Sequence, residues 1–453
     1  MKKIGTALSW SEIRLRCFYT LLAFVLYSCG NAGKEEGNLV SRHLIQEVNA
    51  GEMPLNAKTI AIVKAMIIDG MGAEPILDGC VLVRDGKIIF VGNTSEIEIP
   101  KEAEIFDATG MALLPGFIDS HFHLDRIKNL PAMFLQNGVT SVRDPGAWIE
   151  AYDKERVSGH AIPRLFLTGP HLDMNPPAYP DDAVIVRDNL EAETQVNQVV
   201  VQGASAIKIY FRLPLDLIRQ VCITAHQKGI PVTAHLEMTD PVEAINVGVD
   251  GIEHITSFGM SLLPKRESEK YKQAILKDNN ARKEGRYAVW KDLNIDSDNV
   301  DSLIRFLVKK GTFISPTLGA FEYQASGATT DSVKLIAFNK MKMFTGKLKR
   351  GGVRIVVGSH ADIPYAELGW AFQREMELMV ESGISNAAVI QAATIENARF
   401  FRIEDRLGSI EVGKIADLIL MRGNPLVDIK ATRNIERVML NGTWVSADQP
   451  IKN

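Results

Sequence analysis

The chain has 453 residues, 46% of them apolar and 23% charged, with a formal net charge of -4. Such an apolar fraction builds a core and excludes disordered and collagen-like chains, and without a basic excess the electrostatic basis for binding nucleic acid is missing. The four cysteines, Cys17, Cys29, Cys80 and Cys222, are too few and too scattered for a disulfide scaffold or a cysteine zinc site, so any metal would need histidine and carboxylate ligands.

Lys2, Lys3, Arg14 and Arg16 precede the apolar run 17–27 (CFYTLLAFVLY), which has the length of a signal-peptide core and is too short to cross a bilayer of about 30 Å. The run ends in Leu26-Tyr27-Ser28-Cys29, which resembles the bacterial lipobox, where a small residue precedes a cysteine that is lipidated and becomes the new N-terminus. Residues 1–28 are therefore expected to be a lipoprotein signal peptide. The mature protein is expected to be exported and held at the bacterial membrane by a lipid on Cys29, facing the periplasm or the cell exterior. The alternative is simple cleavage beside an incidental cysteine. Residues 29–57, with the polar stretch NAGKEEGN (31–38), read as a flexible tether.

From 58 to 114 the sequence consists of β-type runs broken by turn signals: TIAIVKAMIID, then VLVRDGKIIFVG with Asp85-Gly86 at its turn, then EIFDATGMALLPG. They predict a small antiparallel unit. The same texture returns within 404–453, at GSIEVGKIADLILM and RVMLNGTWV with Asn441-Gly442 as the turn, so both ends are expected to build one composite β-sandwich. Between them, over 115–403, short apolar runs alternate with helical patterns: GFIDSHF, VTSVRDP, RLFLTGP, AIKIYF, PVTAH, GIEHI, FISPTL and VRIVVGS. Eight such units predict an α/β chain with a parallel sheet closed into a (β/α)8 barrel of TIM type. The charged, helix-like stretch 261–300 is expected to be an insertion near the mouth.

Several of the nine histidines fall at strand ends, where such a barrel keeps its chemistry. His121 and His123 stand two apart at the end of the first strand, so the period of two turns both imidazoles to one side. His235 closes the fifth strand and His254 the sixth, and His360 and Asp362, again two apart, stand at the end of the eighth. Lys208 lies within AIKIYF, where an isolated ammonium is expensive and must be neutralised, paired or chemically altered. Singly, each has an ordinary explanation, such as a hydrogen-bonded core histidine or a snorkelling lysine. Gathered at one rim, they point to a cation. Tyr210 shares the face of Lys208, and either donates a hydrogen bond to a developing oxyanion or forms part of the wall. Arg143 and Asp144 end the second strand, to meet a substrate carboxylate or to pair with each other. Glu237 lies two beyond His235, and His171 in the third strand-helix loop either lines the pocket or, as the favoured reading, lies at the surface. His43, His160 and His226 carry no expected role.

The motifs PGFIDSHFH (115–123), GASAIKIY (203–210) and GIEH (251–254), together with Ala392-Ala393-Thr394, Asn397-Ala398, Gly408-Ser409-Ile410 and GKIADL (413–418), resemble the amidohydrolase superfamily in its imidazolonepropionase-like and prolidase-like branch. The resemblance covers nearly all of the mature chain. It implies a binuclear centre in which His121 and His123 hold one metal, His235 and His254 the other, and Lys208, carboxylated by CO2, bridges both. It further implies ions roughly 3.5 to 4 Å apart sharing a hydroxide of pKa about 7. Zinc suits this ligand set best, with manganese, iron or cobalt as further candidates. The family usually reads Gly-Thr/Ser-Asp at the eighth strand, with the aspartate as metal ligand and proton carrier. Here Gly358-Ser359-His360-Ala361-Asp362 puts His360 in that register and Asp362 two residues later. Either could take the proton, an aspartate as the usual shuttle or His360 as a group that titrates in the right range; Asp362 is favoured, because a fifth neutral imidazole would leave the cations short of negative charge. The expected function is hydrolysis of an amide-type bond in a small molecule such as a dipeptide, an N-acyl amino acid or a cyclic amide. One alternative is a mononuclear deaminase or imidazolonepropionase-type enzyme with Lys208 unmodified and Glu237 moving protons; another is a non-catalytic binding lipoprotein.

Overall fold

The computed structural model describes residues 45–445, and no helix among them is long and apolar enough to cross a membrane. The expected signal peptide, Cys29, His43 and the first part of the tether lie outside the described residues. Over residues 45–49 the tether expectation fails, because Ile45, Glu47 and Asn49 are buried and Val48 packs partly buried against the core. Asn49 donates to Pro163 O and accepts from Leu165 N, both at 2.9 Å, and Glu47 Oε1 lies 2.5 Å from Arg164 Nη1. Arg164 also holds Asp417 at 2.7 Å. One buried guanidinium thus ties the N-terminal segment to the barrel and to the C-terminal region. The inward residues are largely polar, so hydrophobic periodicity passes over them.

Strands β1 (Ile60–Ile67), β2 (Ile76–Arg84), β3 (Lys87–Asn93), β4 (Glu104–Asp107) and β5 (Met111–Pro115) share one eight-stranded sheet with β16 (Leu418–Arg422), β17 (Ile435–Leu440) and β18 (Thr443–Trp444). Its order is β18-β17-β16-β5-β1-β2-β3, with β4 also on β1. The two chain ends do meet, through the antiparallel pair β5–β16 (Leu418↔Pro115). The sheet is mixed where an antiparallel unit is expected: β1 runs antiparallel to β2 but parallel to β4 (Ile60↔Glu104) and β5 (Met66↔Ala112). After the β2–β3 hairpin the chain crosses back before it returns beside β1, which reverses the direction that turn signals alone would give. Ile60, Ile62, Val81, Val83, Leu113, Leu418 and Leu420 form this sheet's own core.

The barrel strands fall into two parallel runs. One holds β6 (Phe117–Asp119), β7 (Val139–Val142) and β8 (Arg164–Leu165); the other holds β11 (Ile207–Ile209), β12 (Val232–His235), β13 (Gly251–Glu253), β14 (Phe313–Ser315) and β15 (Arg354–Ile355). The ring closes through Ser205 N to Leu167 O at 2.8 Å and Ser120 N to Val357 O at 3.1 Å. Beside β11 the third strand-helix connection adds two short strands, β9 (His171–Asp173) and β10 (Ala183–Ile185). Outward residues such as Ile207, Ile209, Val232, Ala234, Ile252 and Ile314 pack into the main core with the helices. Among these helices is α3 (Asp298–Lys310), whose buried Val300, Leu303, Ile304 and Leu307 recur at helical spacing before the left-handed cap Gly311. Such barrels usually fill their interior with branched apolar residues. Here the alternate positions are Ser141, Arg143, Lys208, Thr233, Glu253 and Ser315, every one of them buried. Within the stretch expected as an insertion lie α1 (Lys265–Lys277) and α2 (Ala281–Asp292), which precede α3.

Candidate metal centre

A cavity of about 660 Å³ opens at the C-terminal ends of the barrel strands, and His121, His123, His171, Lys208, Tyr210, His235, His254 and His360 all line it. The histidines on the first, fifth and sixth strands follow one rule. His121 gives Nδ1 to Glu253 Oε2 at 2.6 Å, and Thr233 holds the other oxygen of that carboxylate at 2.6 Å. His123 has Nδ1 3.6 Å from Asp144 Oδ1, His254 has Nδ1 2.6 Å from Thr317 Oγ1, and His235 has Nε2 2.9 Å from Glu237 Oε1. Each ring therefore has one nitrogen set against an oxygen. The other nitrogens converge: the Nε2 atoms of His121 and His123 are 3.1 Å apart, and Nδ1 of His235 is buried with no hydrogen-bond partner. One ring nitrogen each from His121, His254 and His360 lies within 4.8 Å of the others. Neutral imidazoles orientated by oxygen acceptors, with free lone pairs on a shared centre, are the donor set a divalent ion requires.

Burial lowers the proton affinity of these rings, to about 4 for His121 and about 3 for His235, and well below the ordinary value for His254 and His360. Burial pushes Glu253 upward, but His121 and Lys208 outweigh it and hold the carboxyl at about 2. Lys208 itself is 2% exposed, and burial brings its ammonium down to about 8 against the pull of Glu253 and Asp144. Backbone strain gathers at the same rim: His254, Thr317, His360 and Ala361 all take left-handed φ, at 65°, 48°, 62° and 56°. Such conformations cost of order 1–3 kcal/mol each and persist only where the surroundings over-determine them.

The eighth strand corrects an expectation. It ends early, at Ile355, and the left-handed pair His360-Ala361 folds the chain so that Asp362 N bonds back to His360 O at 2.8 Å. Asp362 is consequently exposed and outside the cavity lining, while His360 faces His123 and His121 with ring centroids 4.7 and 5.4 Å away. The period of two that placed Asp362 on the active face requires an extended strand, and the strand is not extended there. Gly358 permits the close approach on which this corner depends, since a Cβ there would meet His121 Cβ at 2.6 Å. Asp119 clamps the corner, accepting from His121 N at 3.0 Å and from Ser359 N at 2.9 Å.

The profile of the Amidohydrolase family matches residues 112–445. The chain belongs to this family. An adenine deaminase from Desulforamulus reducens is 23% identical over 402 residues, which are 84% of this chain and 57% of that protein. One from Listeria monocytogenes is 36% identical over 94 residues, 20% of this chain and 15% of that protein. The chain thus spans less than two thirds of these curated relatives. Among solved structures, a protein from Bifidobacterium longum provisionally assigned as a prolidase superposes with a TM-score of 0.70 at 26% identity, over 88% of this chain and 97% of that one. A Xaa-Pro dipeptidase with methionine in its active site shares the fold, with a TM-score of 0.65 at 24% identity over 85% and 99% of the two chains.

The remaining residues of the amidohydrolase site divide into partners and bystanders. Arg143 and Asp144 do not pair. Arg143 lies under the floor, its guanidinium 3.9 Å from the Phe401 ring centroid, while Asp144 accepts from Tyr152 at 2.8 Å and from the amides of Leu124, Gly146 and Ala147. His171, expected at the surface, is 4% exposed and lies 4.4 Å from the Tyr210 ring. Burial keeps the Tyr210 phenol protonated. His226 bonds Asp250 at 2.8 Å away from the cavity, and His160 does not line it. Sequence reasoning missed Glu253, Thr317 and the basic side chains of α2. A carboxylate inside the apolar strand GIEH carries the same signal as Lys208, and could have been read the same way. Nothing in the charged insertion marks which of its cations face inward.

Proposed function

We propose that this amidohydrolase hydrolyses an amide-type C–N bond in a small molecule such as a dipeptide, an N-acyl amino acid or a cyclic amide. The observation that carries the reading is the set of buried histidines, each with one ring nitrogen held by oxygen and the other free toward one cavity. His121 and His123 would hold one divalent ion and His235 and His254 another, with zinc the first candidate. Lys208, carrying a CO2-derived carboxylate, would bridge them; its burial and its lack of any ion pair among the described residues support that role. When bound, the ions supply carbonyl polarisation and activation of water. The chain's own residues do the rest. The protonated Tyr210 donates to the substrate oxygen as charge develops there. His360, the eighth-strand group at the centre, accepts a proton at its ring nitrogen, and its buried environment favours release of that proton to the leaving nitrogen. The Bifidobacterium structure, at 26% identity over 97% of its length, supports the peptide-like end of this substrate range.

The second reading is deamination at a single ion, supported by the adenine deaminase relatives and by Glu237, whose Oε1 lies 2.9 Å from His235 Nε2. Metal analysis with a substrate screen decides between them. About two ions per chain, with turnover of dipeptides or N-acyl amino acids that Lys208→Ala abolishes, is the result expected. About one ion with release of ammonia from adenine would overturn the hydrolase reading, as would full activity of Lys208→Ala. We also propose export with a lipid on Cys29, which mass spectrometry of the mature N-terminus tests.

A further inference from the structure

The insertion contributes a second chemistry to the cavity. Arg282, Lys283 and Arg286 of α2 line it together with the histidine cluster. Cations in the first turns of a helix oppose its dipole, so local helix stability does not explain them. Arg286 Nη2 is 2.9 Å from Glu237 Oε1, and Tyr271 donates to the other oxygen of that carboxylate at 3.0 Å. Glu237 is therefore already shared among Arg286, Tyr271 and His235. Arg282 differs. It is 4% exposed, its side chain makes no ion pair among the described residues, and its Nε has no hydrogen-bond partner. Its guanidinium is held from the sides, with one Nη donating to Tyr179 Oη at 3.2 Å and its carbon 5.2 and 5.5 Å from the ring centroids of Phe211 and Tyr179. The Glu237 carboxylate acts on it only from beyond contact distance, and a buried guanidinium fixed in orientation with no carboxylate in contact is an anion receptor without its anion. Asp125, Asp181 and Asp182 also line the cavity, Asp181 in an ion pair with Arg126 at 3.3 Å, so the space offers an anion Arg282 as a buried unpaired cation.

We infer that Arg282 anchors a carboxylate of the substrate, assisted at the rim by Lys283, so that the amidohydrolase selects acyl amino acids and peptides with a free carboxylate over neutral amides. This rests on the cavity being the substrate site of the proposed hydrolase. The test is equilibrium binding by calorimetry of N-acetyl-L-leucine, N-acetyl-L-phenylalanine and N-acetyl-L-proline, each against its carboxamide, to the full-length protein. At least one acid is expected to bind about tenfold or more tightly than its amide. Arg282→Gln should erase that preference and Arg282→Lys should retain part of it. Equal affinity of acids and amides, no binding of any acid at millimolar concentration, or an unchanged preference in a folded Arg282→Gln protein would each overturn the inference. The comparison of acid with amide in the unmodified protein needs no variant, so misfolding of Arg282→Gln cannot hide the answer. Binding that prefers acids without any hydrolysis would leave the anchor standing and sink the hydrolase reading instead.

Discussion

The two walls of the cavity are built by different rules. On the strand-end wall, His121, His254 and Glu253 are fixed by bonds of 2.6 Å, and the backbone at His254, Thr317 and His360 is held in left-handed conformations. On the insertion wall, Arg282 is held by ring contacts and a longer bond of 3.2 Å and Tyr271 by one of 3.0 Å, on two helices outside the barrel strands, the second of which buries Trp290 against Phe344. A metal centre needs its donors placed to within a fraction of an ångström, which strands of a closed barrel supply. Selection of a substrate needs shape and charge that can vary without disturbing the chemistry, which an inserted helix pair supplies. Equivalent changes should therefore do far more damage on the first wall than on the second.

The largest effect is expected from His254→Ala, which removes a donor at the centre of the cluster and should abolish both metal retention and turnover, checked by elemental analysis beside activity. Glu253→Gln comes next. It keeps the hydrogen bond to His121 but removes the charge that orientates and enriches that imidazole, so metal affinity should fall about 10- to 100-fold in a chelator competition. An unchanged affinity would mean that Glu253 serves the polar interior alone.

A pair of glycine substitutions compares the walls directly. In Gly358→Ala the new Cβ meets Ser315 Oγ at 2.3 Å and His121 Cβ at 2.6 Å, both on barrel strand ends with nowhere to move. Destabilisation of about 3 kcal/mol with loss of metal is expected. In Gly285→Ala the Cβ meets Tyr271 Cε2 at 2.5 Å, the far end of a ring that can swing. The gain of about 1 kcal/mol in helix propensity offsets part of that clash, so stability should change by no more than about 1 kcal/mol in denaturant unfolding, with metal retained. Comparable losses from both would break the contrast.

Legibility in the sequence followed the same division. Strand ends were readable because period two and the placement of histidines after apolar runs are both local signals, as at His121, His123, His235 and His254. The barrel was readable for the same reason. What failed was whatever depends on a departure from regular geometry or on contacts between distant segments. The N-terminal segment buries Glu47 and Asn49 against Arg164 and the strand beside it, partners more than a hundred positions away that no window reveals. The parallel return of β4 and β5 onto β1 is a crossover, invisible to hairpin rules. Arg282 faces the cavity because two inserted helices pack as they do, and its sequence neighbours Lys283 and Arg286 look no different from it.

The smallest expected effect carries the most direct information about the eighth strand. Asp362 is exposed beyond a left-handed corner, so Asp362→Asn should change kcat by less than about twofold, as expected for a solvated charge away from the reacting atoms. His360→Asn, at the cluster itself, should cost about a hundredfold or more, in the range of a lost proton carrier. The reverse outcome would show that the chain beyond Ile355 straightens when the ions bind and restores the two-residue alternation. The expected outcome has a consequence for charge. With an imidazole in place of the aspartate, the eighth strand adds no negative charge to the ions, and that charge must come from elsewhere around the cavity. Glu253 and Asp144 contribute from behind their histidines, at 2.6 and 3.6 Å, and the carboxylate proposed on Lys208 would add the charge nearest the ions. Metal retention in His360→Asn should therefore depend on CO2, and preparing that variant with and without added bicarbonate measures it.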